Sequence, residues 1–275
     1  MRINRFTFIP VLCVAVLTLA RPIALAQAPA QDAAAPVSAK TWLDHRQEIE
    51  EYLKAAPVQG EMEKIGVGVT NPHKARFAPG GPVDKFAWKP IKPGNYKGYY
   101  ESYKAEIAAY ELDKLLTLNM VPPTVEKTVN GETGAAVMWC SPTQSFKELG
   151  GLPQPPSLKF AAWNRQIVDA KMFDNLIYNK DPNLGNWLKD PEWNLILIDH
   201  SRSFTTGKEM AHEMQRVDAA LWDKMKGLTA ESLSGALSNW LNEKELKAVI
   251  ERRDKMAEVI EKLVKTKGED ATFIK

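Results

Sequence analysis

Five polar side chains, far apart along the chain, have the chemical types that transfer of a phosphoryl group from a nucleotide requires. Such transfer needs a cation on the phosphates, carboxylate and amide oxygens on Mg²⁺, and a base near the acceptor hydroxyl. Lys89 ends the strand-like run KFAWK, and Glu106 lies in the helical pattern that follows it. Asp181 and Asn186 share a short polar loop, and Asp199 ends a hydrophobic run. This ordered set predicts a phosphoryl-transfer site.

The spacing within the set matters as much as the residue types. The loop from Asp181 to Asn186 is long enough to aim a carboxylate at an acceptor while an amide oxygen turns back toward a metal. Asp199 follows the apolar run 195–198, so its carboxylate should leave a buried strand as a rigidly held oxygen ligand for Mg²⁺. Taken singly, each residue has a plain alternative, because Asp and Asn are common in turns.

Other catalytic chemistries find little support in the sequence. The four histidines show no metal-ligand spacing with one another or with Cys140, which argues against a zinc site. His212-Glu213 lacks a second histidine four residues after the first, so a zincin is excluded. No Gly-x-Ser-x-Gly elbow is present and Cys140 has no nearby histidine, which argues against the usual hydrolase nucleophiles.

The elements that must position these residues are mainly β in the first half of the chain. Apolar spacing predicts helices over 41–54 and 101–118, the second ended by Val121-Pro-Pro. The runs IGVGVT and KFAWK predict two strands joined by a long glycine-rich loop. Asn130-Gly131 is a strong turn signal between strands over 124–129 and 135–140.

The second half of the chain is mainly helical. Residues 142–157 are rich in Pro and Gly and mark a predicted linker. A helix over 158–178, a buried strand in WNLILID and helices over 208–266 follow, with a capping box at Asn242 and Glu245. The predicted fold class is α+β and two-lobed. It has an antiparallel β-sheet lobe with one packed helix over 41–141 and a mainly helical lobe over 158–275.

The N-terminus has the layout of a secretory signal peptide. Residues 1–26 combine two early arginines, an apolar run and an Ala-Leu-Ala ending. A membrane anchor is the alternative, but the apolar run is shorter than the ~20 residues of a spanning helix. Residues 27–40 are Ala- and Pro-rich and predict a flexible tether. The mature protein is therefore expected to be periplasmic or extracellular, without a stable membrane anchor.

Charge and cysteine content limit the binding partners and the covalent cross-links that the sequence predicts. Without the three arginines of the signal segment, 33 basic side chains stand against 34 acidic ones, so binding to nucleic acid is not implied. Only Cys140 remains after processing, and one cysteine cannot close an intramolecular disulfide. The fold must rest on its hydrophobic core.

Several motifs together resemble those of atypical kinases. They are AWKP at 87–90, EIAAY at 106–110 with VPPT at 121–124, FDNLI at 173–177, and IDH at 198–200. The resemblance covers residues 63–206. It extends to the phosphatidylinositol 3-/4-kinase-like group, particularly type II phosphatidylinositol 4-kinases, to secretory-pathway kinases typified by Golgi casein kinase, and to HipA-type kinases. It implies a protein-kinase-like fold and ATP with Mg²⁺, or alternatively Mn²⁺, as cofactors.

The resemblance also implies a role for each matched residue. Lys89 would hold the α- and β-phosphates and pair with Glu106, Asp181 would be the catalytic base, and Asn186 with Asp199 would bind the metal.

Three further positions follow from the same resemblance. Gly66 and Gly68 would let backbone N–H groups approach the phosphates, although a strand bulge explains the two glycines equally well. The segment from Met138 through Cys140 to Ser141 would be the hinge near the adenine, although Trp139 suits the core as well.

Two departures from the kinase pattern limit the match. Asn179-Lys180 precedes Asp181 where other kinases have His-Arg, and His200-Ser201 follows Asp199 in place of Phe-Gly. Lys180 suits either a role in phosphate binding or a solvated loop. The function predicted is an exported Mg-ATP-dependent phosphotransferase acting on a protein, lipid or small hydroxyl acceptor. The alternatives are a non-catalytic pseudokinase or ligand- or partner-binding module of the cell envelope, and a structural envelope protein.

Overall fold

The computed structural model describes residues 38–66, 72–181 and 183–275. The predicted signal peptide and tether residues 27–37 lie outside the described residues. The helices are α1 (Arg46–Ala55), α2 (Tyr103–Leu116), α3 (Phe160–Ile177), α4 (Ala219–Lys226), α5 (Ala230–Leu237), α6 (Glu243–Lys267) and α7 (Glu269–Thr272). The strands are β1 (Gln59–Lys64), β2 (His73–Arg76), β3 (Lys85–Lys89), β4 (Gly94–Tyr96), β5 (Tyr99–Glu101), β6 (Thr124–Val129), β7 (Glu132–Met138), β8 (Gln144–Ser145), β9 (Trp187–Lys189), β10 (Leu195–Leu197), β11 (Val217–Asp218) and β12 (Phe273–Ile274).

An antiparallel sheet of five strands, in the order β1-β2-β3-β7-β6, forms the first half. Asn130 and Gly131 have φ of 52° and 80° at the β6–β7 turn, the conformation that favours these residue types. The predicted strand over 65–70 is wrong at its start, because β1 ends at Lys64 and Gly66 has φ of 61°. Strands β1 and β2 escaped prediction because β1 is mostly exposed and shows no apolar alternation.

The two faces of the sheet carry different cores. Side chains alternate along β3, so Phe86 and Trp88 share a buried cluster with Trp42, Ile49 and Leu53 on the side of α1. The opposite face packs against α2, where Tyr103 and Ile107 contact Ala135 and Val137 of β7. The sheet is therefore covered on one side by α1 and on the other by α2.

Helix α2 has clear local signals at both ends. The Ser102 side chain accepts a hydrogen bond from the Lys104 N–H as the N-cap, and Thr117 ends the helix in the left-handed conformation with φ of 49°. The buried Asp113 then accepts hydrogen bonds from the N–H groups of Met120 and Val121. These contacts fix the chain that leads from α2 into β6.

The second half is built around α3 and α6. Trp163 and Phe173 of α3 lie in a large buried cluster with Leu233 of α5 and Met256 of α6. The predicted capping box of α6 is present, since the Asn242 and Glu245 side chains each accept from the other's backbone N–H. Residues 208–216 form no helix, so the predicted helical region begins later, at α4. Within the described residues, no helix combines the length and hydrophobicity needed to span a membrane.

This architecture confirms the predicted α+β class, with an antiparallel sheet followed by a mainly helical part. Two helices, α1 and α2, pack on the sheet in place of the one predicted. The domain boundaries placed around 142–157 stay predictions.

The last residues of the predicted tether are held against the rest of the chain. Ala39 is buried, and its backbone N–H donates to Asp190 Oδ2 at 3.0 Å, while the Ser38 hydroxyl donates to the same oxygen at 3.1 Å. The Lys40 ammonium donates to the Asn119 carbonyl at 2.7 Å. The tether prediction is therefore wrong for residues 38–40, because the carboxylate of Asp190, which is distant in sequence, accepts hydrogen bonds from this segment.

We expect Asp190→Ala to lower the free energy of unfolding by about 2–4 kcal/mol, since a buried donor left without a partner costs about 1–3 kcal/mol. Asp190 also accepts from the Asn194 backbone N–H and side-chain amide, so several donors lose their acceptor. Urea unfolding at constant m-value measures the change. The exposed Asp44→Ala is the matched control and should stay within about 0.5 kcal/mol of the parent. Equal stability of both variants would contradict the anchoring role.

Candidate active site

Lys89 lies at the centre of a buried ionic cluster. Its ammonium Nζ is 2.6 Å from Glu106 Oε1 and 2.9 Å from Asp199 Oδ1. Strand β3 supplies Lys89, and the first turn of α2 supplies Glu106. Asp199 follows strand β10, with Ile198 between them. A Cβ at Gly134 would lie 2.5 Å from the Lys89 carbonyl oxygen, so the absence of a side chain there allows β7 to approach the end of β3.

The two carboxylates of the cluster differ in access to solvent. The Glu106 side chain is only 2% exposed, whereas that of Asp199 is 35% exposed. Glu106 Oε2 is further held by the His200 backbone N–H at 3.0 Å. Glu106 is thus an internal partner of Lys89, and Asp199 is the carboxylate that a ligand can reach.

Electrostatics within the cluster shift the pKa of each of its three side chains. Burial alone would lower the pKa of the Lys89 ammonium, but the carboxylates of Asp199 and Glu106 outweigh it and raise that pKa. Burial likewise opposes ionisation of Asp199, yet Lys89 holds its pKa below the usual range. Burial raises the pKa of Glu106, with Lys89 opposing the shift. Burial lowers the pKa of the adjacent His200 to about 4, so this imidazole is neutral near pH 7.

The turn after β10 connects the cluster to its surroundings. Asp199 has φ of 65°, a left-handed conformation that Asp adopts more readily than most residues. The Ser201 carbonyl accepts the N–H of Ser102, the N-cap of α2, at 2.9 Å. Arg202 contacts Glu101 Oε1 at 3.0 Å and Asp181 Oδ2 at 3.5 Å. Residues 199–202 therefore contact β3, both the N-cap and the first turn of α2, and the Asp181 loop.

Asn186 lies next to this turn. Its backbone carbonyl accepts the Ile198 N–H at 3.0 Å, directly before Asp199. Its side chain is buried, and the amide Nδ2 has no hydrogen-bond partner among the described residues. One carboxylate and one amide, completed by ligand oxygens, are a donor set that fits Mg²⁺. Asp199 and Asn186 are the residues that could hold a divalent cation.

Asp181 is held by residues that the sequence reasoning did not identify as functional. Its backbone N–H donates to Asn179 Oδ1 at 3.3 Å, and the Asn179 amide donates to the buried Asp174 Oδ1 at 3.0 Å. Asp174 lies inside the FDNLI motif, and that motif was the sequence signal that could have identified Asp174. Arg202 had no such signal, because only folding brings it to Asp181. The Lys180 ammonium lies 5.1 Å from the centre of the Tyr178 ring, a partner that neither interpretation of Lys180 foresaw.

The predicted nucleotide-binding residues are only partly near the cluster. Gly66 lies in the connection between β1 and β2, and Gly68 lies outside the described residues. The Met138 and Cys140 side chains belong to the buried cluster on the α1 side of the sheet, the face opposite Lys89. Strand alternation explains this, because β7 places Ala135, not Met138, opposite Lys89. Any contact of 138–141 with a ligand on the Lys89 face would therefore use the backbone or Trp139.

The antiparallel sheet between α1 and α2, the helical second half and the Lys89 cluster define an atypical kinase-like fold. The structure is similar to that of hydra Fam20 with sugar, with a TM-score of 0.63, 17% identity, and coverage of 86% of this chain and 98% of that chain. It is also similar to the Golgi casein kinase with Mn and ADP bound, with a TM-score of 0.63, 13% identity, and coverage of 83% and 78%. No protein-family model and no curated protein matches the sequence.

We expect Lys89→Met to destabilise the protein by about 3–5 kcal/mol, because it leaves a buried carboxylate without its partner. Without Lys89 the pKa of Glu106 should rise further. A carboxyl group whose pKa is raised in the folded state contributes less to stability as pH increases. The free energy of unfolding lost in Lys89→Met should therefore be larger near pH 8 than near pH 5.

Urea unfolding at these two pH values measures the effect. Lys85→Met, on the same strand and without an acidic partner within the described residues, is the control. Adding Glu106→Gln to Lys89→Met should recover part of the loss. A pH-independent loss that Glu106→Gln does not relieve would show that the charge pair is not its cause.

Proposed function

We propose that the protein is an exported phosphotransferase that uses ATP with a divalent cation, Mg²⁺ or Mn²⁺. The observation that carries this proposal is the simultaneous contact of Lys89 with the buried Glu106 and the accessible Asp199. A lysine–glutamate pair and a metal-binding aspartate, both in place, are what kinase chemistry requires. The Mn and ADP bound to the Golgi casein kinase of similar fold support the choice of cofactors.

Each residue then has a distinct role. Two of the three N–H groups of the Lys89 ammonium donate to carboxylates. Within the described residues the third N–H group has no partner, so it is left for a phosphate oxygen. Glu106 orients Lys89. Asp199 and Asn186 hold the cation, which neutralises charge that develops on the phosphates. Asp181 accepts the proton of the acceptor hydroxyl.

Export follows from the N-terminal sequence. Residues 1–26 carry the signal-peptide pattern, and one protein of similar fold is a Golgi kinase by name. We therefore place the mature protein in the periplasm or outside the cell. Its partners are a nucleotide and an acceptor with a hydroxyl group.

The decisive experiment measures nucleotide binding and phosphate transfer separately. Thermal unfolding with ATP and Mg²⁺ should shift upward, since ligand at 100 times Kd adds about 2.7 kcal/mol of stability. Labelled ATP with an envelope extract should give a labelled product. Asp181→Asn should abolish the product and keep the thermal shift, whereas Asp199→Ala should weaken the Mg²⁺-dependent part of the shift.

The outcomes separate the candidate functions. A thermal shift without any labelled product in the parent protein would favour the non-catalytic binding module. No shift with millimolar ATP and Mg²⁺ would reject the phosphotransferase. Full product formation by Asp181→Asn would reject the assignment of the base.

Asn179 should affect turnover through Asp181. Asn179→Ala removes the acceptor of the Asp181 N–H, so the carboxylate loses its alignment, and kcat should fall by about tenfold to a hundredfold. The Kd for ATP should change little because Asn179 does not touch the Lys89 cluster. The exposed Asn164→Ala is the control. A weaker Kd with unchanged kcat would contradict this positioning role.

A further inference from the structure

A small apolar cavity lies beside the candidate base. Its volume is about 220 Å³, and Asp181 forms part of its wall. The apolar residues of the lining are Phe146, Leu152, Ile167, Leu184 and Trp187. Polar side chains complete the wall. Nothing in the roles proposed above uses this cavity.

The fold builds the cavity from rigid elements. Ile167 lies on α3, and the Phe146 and Trp187 rings meet edge to face with centroids 5.7 Å apart. The Leu184 side chain belongs to the turn between Asp181 and Asn186, so the apolar wall and the candidate base share one loop. The cavity wall therefore includes residues close in sequence to the candidate base.

Two leucines of the wall are unusually open to solvent. Leu152 is 52% exposed and Leu184 is 48% exposed. Leu149, Leu158 and Phe160, which are close in sequence to Leu152, are also exposed. An apolar cavity beside a candidate reactive group is typical of a ligand-binding site.

Asp181 also borders a second cavity of different chemistry. That cavity, of about 420 Å³, includes the cationic Lys180 and Arg202 together with Tyr99 and Tyr178. Cationic side chains suit phosphate, whereas the smaller cavity suits an alkyl or aryl group. The carboxylate between them is placed to meet a hydroxyl group.

We propose that the acceptor is an alcohol whose alkyl or aryl body occupies the apolar cavity, a proposal that rests on the phosphotransferase function. The acceptor oxygen forms a bond to the γ-phosphorus of ATP, and the bond from that phosphorus to the β,γ-bridging oxygen breaks. Asp181 takes the hydroxyl proton, and ADP leaves. The size is suitable, because a cavity of about 150 Å³ lined by Leu, Ile and Phe holds a benzene ring.

The first test compares small alcohols as acceptors of labelled phosphate. Transfer to ethanol, 1-butanol, butane-1,4-diol and 2-phenylethanol is measured with ATP and Mg²⁺. Each methylene that enters the cavity should raise kcat/KM about fourfold, equivalent to about 0.8 kcal/mol. The two additional methylenes of 1-butanol should therefore raise kcat/KM about fifteenfold over ethanol, and the diol should be poorer than 1-butanol. Equal values, or a preference for the diol, would overturn the proposal.

The second test measures binding without turnover. Fluorine NMR of 2-(4-fluorophenyl)ethanol should show binding to the mature protein. Leu152→Asp should abolish that binding and the dependence on chain length, while Leu152→Met should keep both. Leu43→Asp, with a leucine of similar exposure at 42%, is the distant control and should resemble the parent. Binding that survives Leu152→Asp would place the probe elsewhere and refute this site.

The two proposals fail in different ways. Transfer of phosphate from ATP without any dependence on apolar size would overturn the acceptor assignment alone. Absence of both ATP binding and transfer would overturn the phosphotransferase function, and the acceptor assignment would fall with it.

Discussion

The contact of one buried lysine with two carboxylates is the interaction on which the rest of the structure depends. Removing Lys89 and Glu106 from water is costly, and only close, well-oriented pairing offsets that cost. The pairing requires β3, α2 and the residue after β10 to meet within hydrogen-bond distance. The cluster also carries two carboxylates against one ammonium. Its accessible member, Asp199, is therefore the carboxylate best placed to accept an added cation.

Features with a local signal could be predicted from the sequence, and they include three elements that carry the cluster. The strand-like run KFAWK predicted β3, helical spacing predicted α2, and the apolar run before Asp199 predicted β10. Asn130-Gly131 and the Asn242 capping box are equally local, because a few neighbouring residues determine each conformation. The order of Lys89, Glu106 and Asp199 was therefore visible, although the distances between them were not.

Features that depend on distant contacts could not be predicted. Strand β1 is held by pairing with β2 and has little apolar alternation of its own. Residues 38–40 are ordered by Asp190, and Arg202 reaches Asp181 only after the chain has folded. The orientation of Met138 and Cys140 depends on the register of β7 against β3, and shifting the register by one residue would exchange the faces.

The turn 199–202 connects the residues proposed to bind the nucleotide to the residue proposed as the base. Asp199 contacts Lys89, the His200 N–H binds Glu106, and Ser201 holds the N-cap of α2. Arg202 then joins Glu101, the last residue of β5, to Asp181. Under the proposed function, nucleotide contacts would depend on Lys89 and Asp199, whereas the position of the proposed base, Asp181, would depend on Asn179 and Arg202. A displacement of α2 would disturb both groups through these four consecutive residues, because each contacts a different part of the site.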